Sequence, residues 1–142
     1  VTEPIRKAAV SLVIDDKEDP VRILCVWNPR YRTWSLPGGM VEDGETPEEA
    51  QARELEEETA MLTRRAKLVH EGPHGLTAKP GRASVVCLFV VDAFGEPQVK
   101  EPECVHRWMT VEGFLKETAF REFYTAVLPG IVACEVLARR CP

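Results

Sequence analysis

Between Glu42 and Glu58 the chain carries eight glutamates, one aspartate and a single arginine, Arg53. Glu54, Glu57 and Glu58 are spaced so that a helix would hold them within an arc of roughly 100°. Like charges at that spacing destabilise a helix, whereas Lys in alternate places would have stabilised it. The stretch therefore gives up stability that a ligand of opposite charge restores. Hard divalent cations with oxygen ligands fit that part, and Mg2+ in particular binds through a few carboxylates together with substrate phosphates. Glu54, Glu57 and Glu58 are the candidate metal ligands. Arg53 lies one helical turn from both Glu49 and Glu57, where it orients a carboxylate without occupying the metal position. The blander reading, a solvated acidic helix, leaves the repulsion unexplained.

The residues that must position this stripe precede it. Thr46 caps, Pro47 suits a first turn and Glu49 completes a capping box, so the predicted helix begins at residue 46 or 47. Ala52, Leu55, Thr59 and Leu62 cluster on an adjoining face, which puts the carboxylates beside the buried side of the helix. Gly38, Gly39 and Gly44 supply a loop in which backbone groups approach a metal or a phosphate with no Cβ in the way.

With that spacing, Gly39, Glu45 and "RELEEETAM" resemble the Nudix box, G-x5-E-x7-R-E-U-x-E-E-x-G-U, where U is aliphatic. Gly39, Glu45, Arg53, Glu54, Leu55, Glu57, Glu58 and Met61 match, and Ala60 stands where the family has Gly. That exchange costs about 1 kcal/mol if the helix ends in a left-handed residue. The box covers residues 39–61, "WSLPGG" precedes it, and the surrounding strand pattern extends the likeness to a single Nudix hydrolase domain over residues 1–142. The resemblance implies an α/β fold, the Nudix α/β/α sandwich around a mixed β-sheet. It also implies Mg2+-dependent hydrolysis of a nucleoside diphosphate linked to another group, with Mn2+ as a substitute. Carried over by position, Glu54, Glu57 and Glu58 hold metal together with the Gly39 carbonyl, Glu54 is the candidate general base, and Arg53 with Glu45 forms a supporting ion pair. A further carboxylate is implied ahead of a late strand carrying Trp108. In "VKEPECVHRWMT" Glu101 is the choice, because Lys100-Glu101 resembles the Lys-Glu pair of MutT-like relatives, and Glu103 stays open.

Substrate choice rests on exclusion. Relatives acting on ADP-ribose or dinucleoside polyphosphates tend to carry Pro or Tyr shortly after the box, where this chain has Leu76, Thr77 and Ala78. The extra motif of coenzyme A relatives is not evident. MutT-like action on a (deoxy)nucleoside triphosphate or an oxidised dNTP is the expectation. The alternatives are hydrolysis of ADP-ribose, a dinucleoside polyphosphate or a sugar nucleotide, and a non-catalytic nucleotide-binding module on the same fold.

The chain as a whole allows this chemistry. Its 142 residues suit one core, and 44% hydrophobic with 29% charged content reads as globular. A net charge of −5 disfavours nucleic acid or an anionic membrane as main partner and favours a small nucleotide approached through a cation. Five cysteines without zinc spacing fit free thiols in a reducing cytoplasm, with Val1 leaving an upstream targeting segment open. His70, His74 and His106 lack mutual ligand spacing, and Trp34 suits packing and substrate contact equally.

The apolar runs at residues 7–15, 21–27, 64–72 and 83–94 read as strands, with "TWSLPGG" a short extended piece. Phe120, Phe123, Tyr124, Val127, Leu128 and Ile131 form a core stripe on a C-terminal helix that Pro129 and Gly130 are expected to kink or split.

Overall fold

The first apolar run does not make one strand. In the computed structural model, which describes residues 5–73, 85–99 and 105–141, the order is β1 (Lys7–Leu12), β2 (Ile14–Asp15), β3 (Arg22–Asn28), β4 (Thr33–Ser35), β5 (Gly38–Met40), α1 (Pro47–Thr59), β6 (Leu62–Pro73), β7 (Val85–Phe94), β8 (His106–Thr110), α2 (Val111–Glu117) and α3 (Arg121–Arg140). β1 and β2 separate at Val13 and enter different sheets. One sheet is mixed, in the order β5-β1-β7-β6, with β1 parallel to β7 and its other pairings antiparallel. The other is antiparallel around β3, which carries β2 and β4 along one edge and β8 along the other.

β7 is apolar almost throughout because both its faces are covered. Cys87, Phe89 and Val91 pack with Ala9 against Ala50, Leu55 and Met61 of the α1 layer. Val86, Leu88 and Val90 point the other way, into the cluster that holds Phe114 of α2 and Tyr124, Leu128 and Val132 of α3. Burial of each large side chain stabilises these layers by about 1.5–3 kcal/mol. The expected layered α/β arrangement with a mixed sheet is present, with a second, antiparallel sheet beside it.

α3 is not split. Pro129 lies inside one helix, and the buried stripe Tyr124, Leu128, Val132 runs past it. Proline removes one backbone hydrogen bond at a cost of about 3 kcal/mol, and core contacts on both sides of it offset that loss. Among the described residues no helix is long and apolar enough to cross a membrane.

α1 starts where its caps dictate. Thr46 Oγ1 accepts from the Glu49 N–H at 3.2 Å, and Glu49 Oε1 accepts from the Thr46 N–H at 3.1 Å. Its buried face is Ala50, Gln51, Leu55 and Thr59. Leu62, expected on that face, instead opens β6 and is exposed, because the helix has already ended. The end is Ala60, at φ 65° and ψ 2°, the left-handed conformation that a Cβ disfavours. Ala60→Gly should therefore stabilise the protein by up to about 1 kcal/mol, raising the melting temperature by roughly 2–4 °C. A lower melting temperature in that variant would show that residue 60 is helical in solution.

Candidate active site

Pairing of β5 with β1 places Gly38 opposite Val10 and Gly39 opposite Ala9, and α1 packs across both strands. The two glycines then face different neighbours. A Cβ on Gly38 would lie 2.4 Å from the Ala9 carbonyl oxygen and 2.9 Å from Val10 Cα, so strand β1 itself requires glycine there. A Cβ on Gly39 would meet Glu54 Oε1, again at 2.4 Å. The missing side chain of Gly39 is the space into which the Glu54 carboxylate fits. The Gly38 N–H donates to Glu58 Oε2 at 3.1 Å, which ties the loop to the C-terminal half of the helix.

Arg53 organises the remaining acids. Its Nε donates to Glu45 Oε2 at 2.8 Å and its Nη2 to Glu45 Oε1 at 2.9 Å, a two-point fork that fixes the guanidinium plane. Nη2 also donates to the Met40 carbonyl at 3.1 Å. Nη1 is left for Glu54 Oε1 at 2.8 Å and Glu57 Oε2 at 3.4 Å. The Arg53 hydrogen bonds hold the Glu45 carboxyl down at about 2, below the usual carboxylate range. Its contribution to stability is present above the ordinary glutamate range and is lost as pH falls toward that value. Glu54 moves the opposite way: burial pushes its carboxyl up, while Arg53 holds it back.

Carboxylate oxygens are the donor type that a hard cation takes. Glu54 has only 17% of its side chain exposed and Glu57 has 57%, so the stripe runs from a half-enclosed carboxylate to an open one. Among the described residues, no three His, Cys, Asp or Glu side chains converge closely enough to hold a metal ion. Glu54 and Glu57 face Arg53, and Glu58 accepts the Gly38 N–H. A cation on the stripe would compete with one guanidinium and one backbone donor.

Other sequence-predicted residues are placed as follows. Glu101 and Glu103 lie outside the described residues, as do Leu76, Thr77, Ala78, His74 and Cys104. His70 packs against the Phe123 ring, and His106 sits on β8 with a buried Nδ1 that has no hydrogen-bond partner among the described residues. Trp34 packs edge-on to Trp27, with Arg107 over its ring at 4.7 Å, and touches the core, so its observed role is packing. Cys25 and Cys87 are buried free thiols. Two residues carry more than the sequence reading gave them. Glu58 and Asn28 line one cleft of about 110 Å3, together with Val26, Trp27, Pro29 and Ser35. The Asn-Pro step after an apolar run was the available signal for Asn28. Larger clefts of about 440 and 510 Å3 share no residue with the carboxylate stripe.

Residues 5–129 match the NUDIX domain family. The chain is 40% identical over 55 residues to an RNA pyrophosphohydrolase of Vibrio vulnificus (strain YJ016), covering 37% of this chain and 32% of that protein. It is 38% identical over 69 residues to an ADP-ribose pyrophosphatase of Methanocaldococcus jannaschii, covering 48% of this chain and 40% of that one. Among solved structures, a MutT NUDIX hydrolase from Burkholderia pseudomallei superimposes with a TM-score of 0.65 at 30% identity, covering 78% of this chain and 87% of the other. The chain thus spans less than half the length of both curated relatives.

Proposed function

This chain belongs to the NUDIX family, and on that premise we propose that it is a divalent-metal-dependent hydrolase cleaving the pyrophosphate linkage of a nucleotide. Its preferred substrate in this reading is a (deoxy)nucleoside triphosphate, including oxidised dNTPs. The observation that carries the reading is the relay Glu45, Arg53, Glu54, closed by the gap at Gly39. A solvated acidic helix has no use for a carboxylate wedged against a glycine and aimed by a forked arginine.

Glu54, Glu57, Glu58 and the Gly39 carbonyl would hold Mg2+ or Mn2+, with Glu101 as the further carboxylate. The bound cation would supply charge neutralisation on the diphosphate and acidify a water. The chain's own residues supply the rest. Glu54, its carboxyl raised by burial, takes the proton from the attacking water as the new O–P bond forms in line and the bridging P–O bond breaks. Arg53 restrains Glu54 to the geometry of that transfer, and Glu45 keeps Arg53 from rotating away. Glu101→Gln should slow turnover far more than Glu103→Gln, and a loss confined to Glu103→Gln would reverse the choice.

The triphosphate preference rests on the sequence likeness to MutT-like relatives, a group to which the Burkholderia pseudomallei hydrolase belongs by name. The RNA pyrophosphohydrolase and ADP-ribose pyrophosphatase relatives keep RNA and ADP-ribose in the screen. That screen offers nucleoside triphosphates, oxidised dNTPs, triphosphorylated RNA, ADP-ribose, dinucleoside polyphosphates and sugar nucleotides, each with Mg2+ and with Mn2+. The expected result is hydrolysis of at least one triphosphate that EDTA abolishes. Nucleotide binding with no turnover of any compound would favour the non-catalytic module.

A further inference from the structure

The cleft between Asn28 and Glu58 has a defined polarity. Asn28 ends β3, and its Oδ1 accepts from the Arg30 N–H at 3.0 Å and the Tyr31 N–H at 3.2 Å. An amide oxygen held by two backbone donors fixes which end of the carboxamide is which. The oxygen belongs to the turn toward β4, and the Nδ2 hydrogens have no acceptor among the described residues. Strand alternation puts Val26 and Asn28 on one face of β3, and Ser35, directly opposite Val26, shares that face. Glu58, anchored to the Gly38 N–H, closes the other side.

Size and charge narrow the occupant. A volume of about 110 Å3 holds a few waters, each taking roughly 30 Å3, or a group the size of one phosphoryl, and is too small for a base with its sugar. Among the described residues, Glu58 is the only ionisable one lining the cleft. An oxyanion entering it is repelled on the Glu58 side unless a cation stands between, and on the opposite side it meets a neutral donor. We propose that Asn28 is a substrate-positioning residue whose Nδ2 donates to a non-bridging oxygen of the nucleotide's phosphate chain. This assignment rests on the metal-dependent hydrolase reading.

Asn28→Asp tests it closely, because aspartate keeps the acceptor needed by the turn and replaces the two donors with an oxygen. Asn28→Ser keeps a weaker acceptor and adds no charge. Three quantities are measured on wild type and both variants: melting temperature, Mn2+ binding followed by electron paramagnetic resonance, and calorimetric binding of an α,β-methylene nucleoside triphosphate with Mg2+. The expected result is that Asn28→Asp weakens the analogue by tenfold or more and Asn28→Ser by about tenfold. The melting temperature should barely move, and Mn2+ should bind at least as well as to wild type. Should Asn28→Asp fail to fold, Asn28→Ser decides. Analogue binding within twofold of wild type in the folded variants reduces Asn28 to a turn residue and overturns the proposal. Wild type that binds Mn2+ but not the analogue also overturns it, leaving the metal site standing. Wild type that binds neither overturns the hydrolase reading with it.

Discussion

Glu57→Gln and Glu58→Gln are each expected to lower kcat by about a hundredfold or more while the protein stays folded. Each change removes a ligand charge from the stripe and leaves the side-chain shape intact. Glu57 is more than half exposed, and its contact with Arg53 is long at 3.4 Å, so losing it costs little stability. Glu58 accepts the Gly38 N–H, and the glutamine oxygen can accept it too. Both substitutions also reduce repulsion along the helix, so the metal-free protein should melt at the same temperature as wild type or slightly higher. The measurement is kcat with Mg2+ on the best substrate of the screen, beside melting curves in EDTA. Near-normal Mg2+-dependent turnover in both variants would remove this helix from the reaction.

What could be read before the structure was local. Thr46 and Glu49 satisfy each other within three residues, so sequence alone placed the helix start at residue 46 or 47, and the helix begins at Pro47 with Thr46 as its cap. The fork between Arg53 and Glu45 spans eight residues, and the family spacing already implied it. Ala60 was marked as a misfit, and its positive φ is the physical content of that mark. The remainder depended on where distant segments meet. A run buried on both faces carries no alternation to show where it breaks, so the division at Val13 was invisible. Pro129 was read through its local cost, while the stripe flanking it on both sides decided the outcome. Asn28 gave no sign of facing Glu58, because only the packing of α1 over the strands brings together residues thirty positions apart. The contact between Gly39 and Glu54 is of the same kind, and it provides the sharpest test of the site.

Gly39→Ala should abolish most of the activity and leave the fold nearly untouched, whereas Gly38→Ala should do its damage to the fold. The added methyl at Gly39 collides with Glu54 Oε1 at 2.4 Å and with its Cδ at 2.5 Å. These atoms are the far end of a flexible side chain, which yields by swinging away, so the strain is relieved by displacing the carboxylate. A misplacement of about 1 Å in a reacting group costs roughly a hundredfold in rate. The methyl at Gly38 instead meets the Ala9 carbonyl and Val10 Cα, which are backbone atoms held in the β1–β5 ladder and cannot move aside alone. That substitution should destabilise the protein by about 1–3 kcal/mol, seen as a lowered denaturation midpoint. The pair separates geometry from stability: a Gly39→Ala protein with wild-type melting behaviour and turnover within a fewfold of normal would mean that Glu54 works from some other position, and its roles as base and metal ligand would fall together.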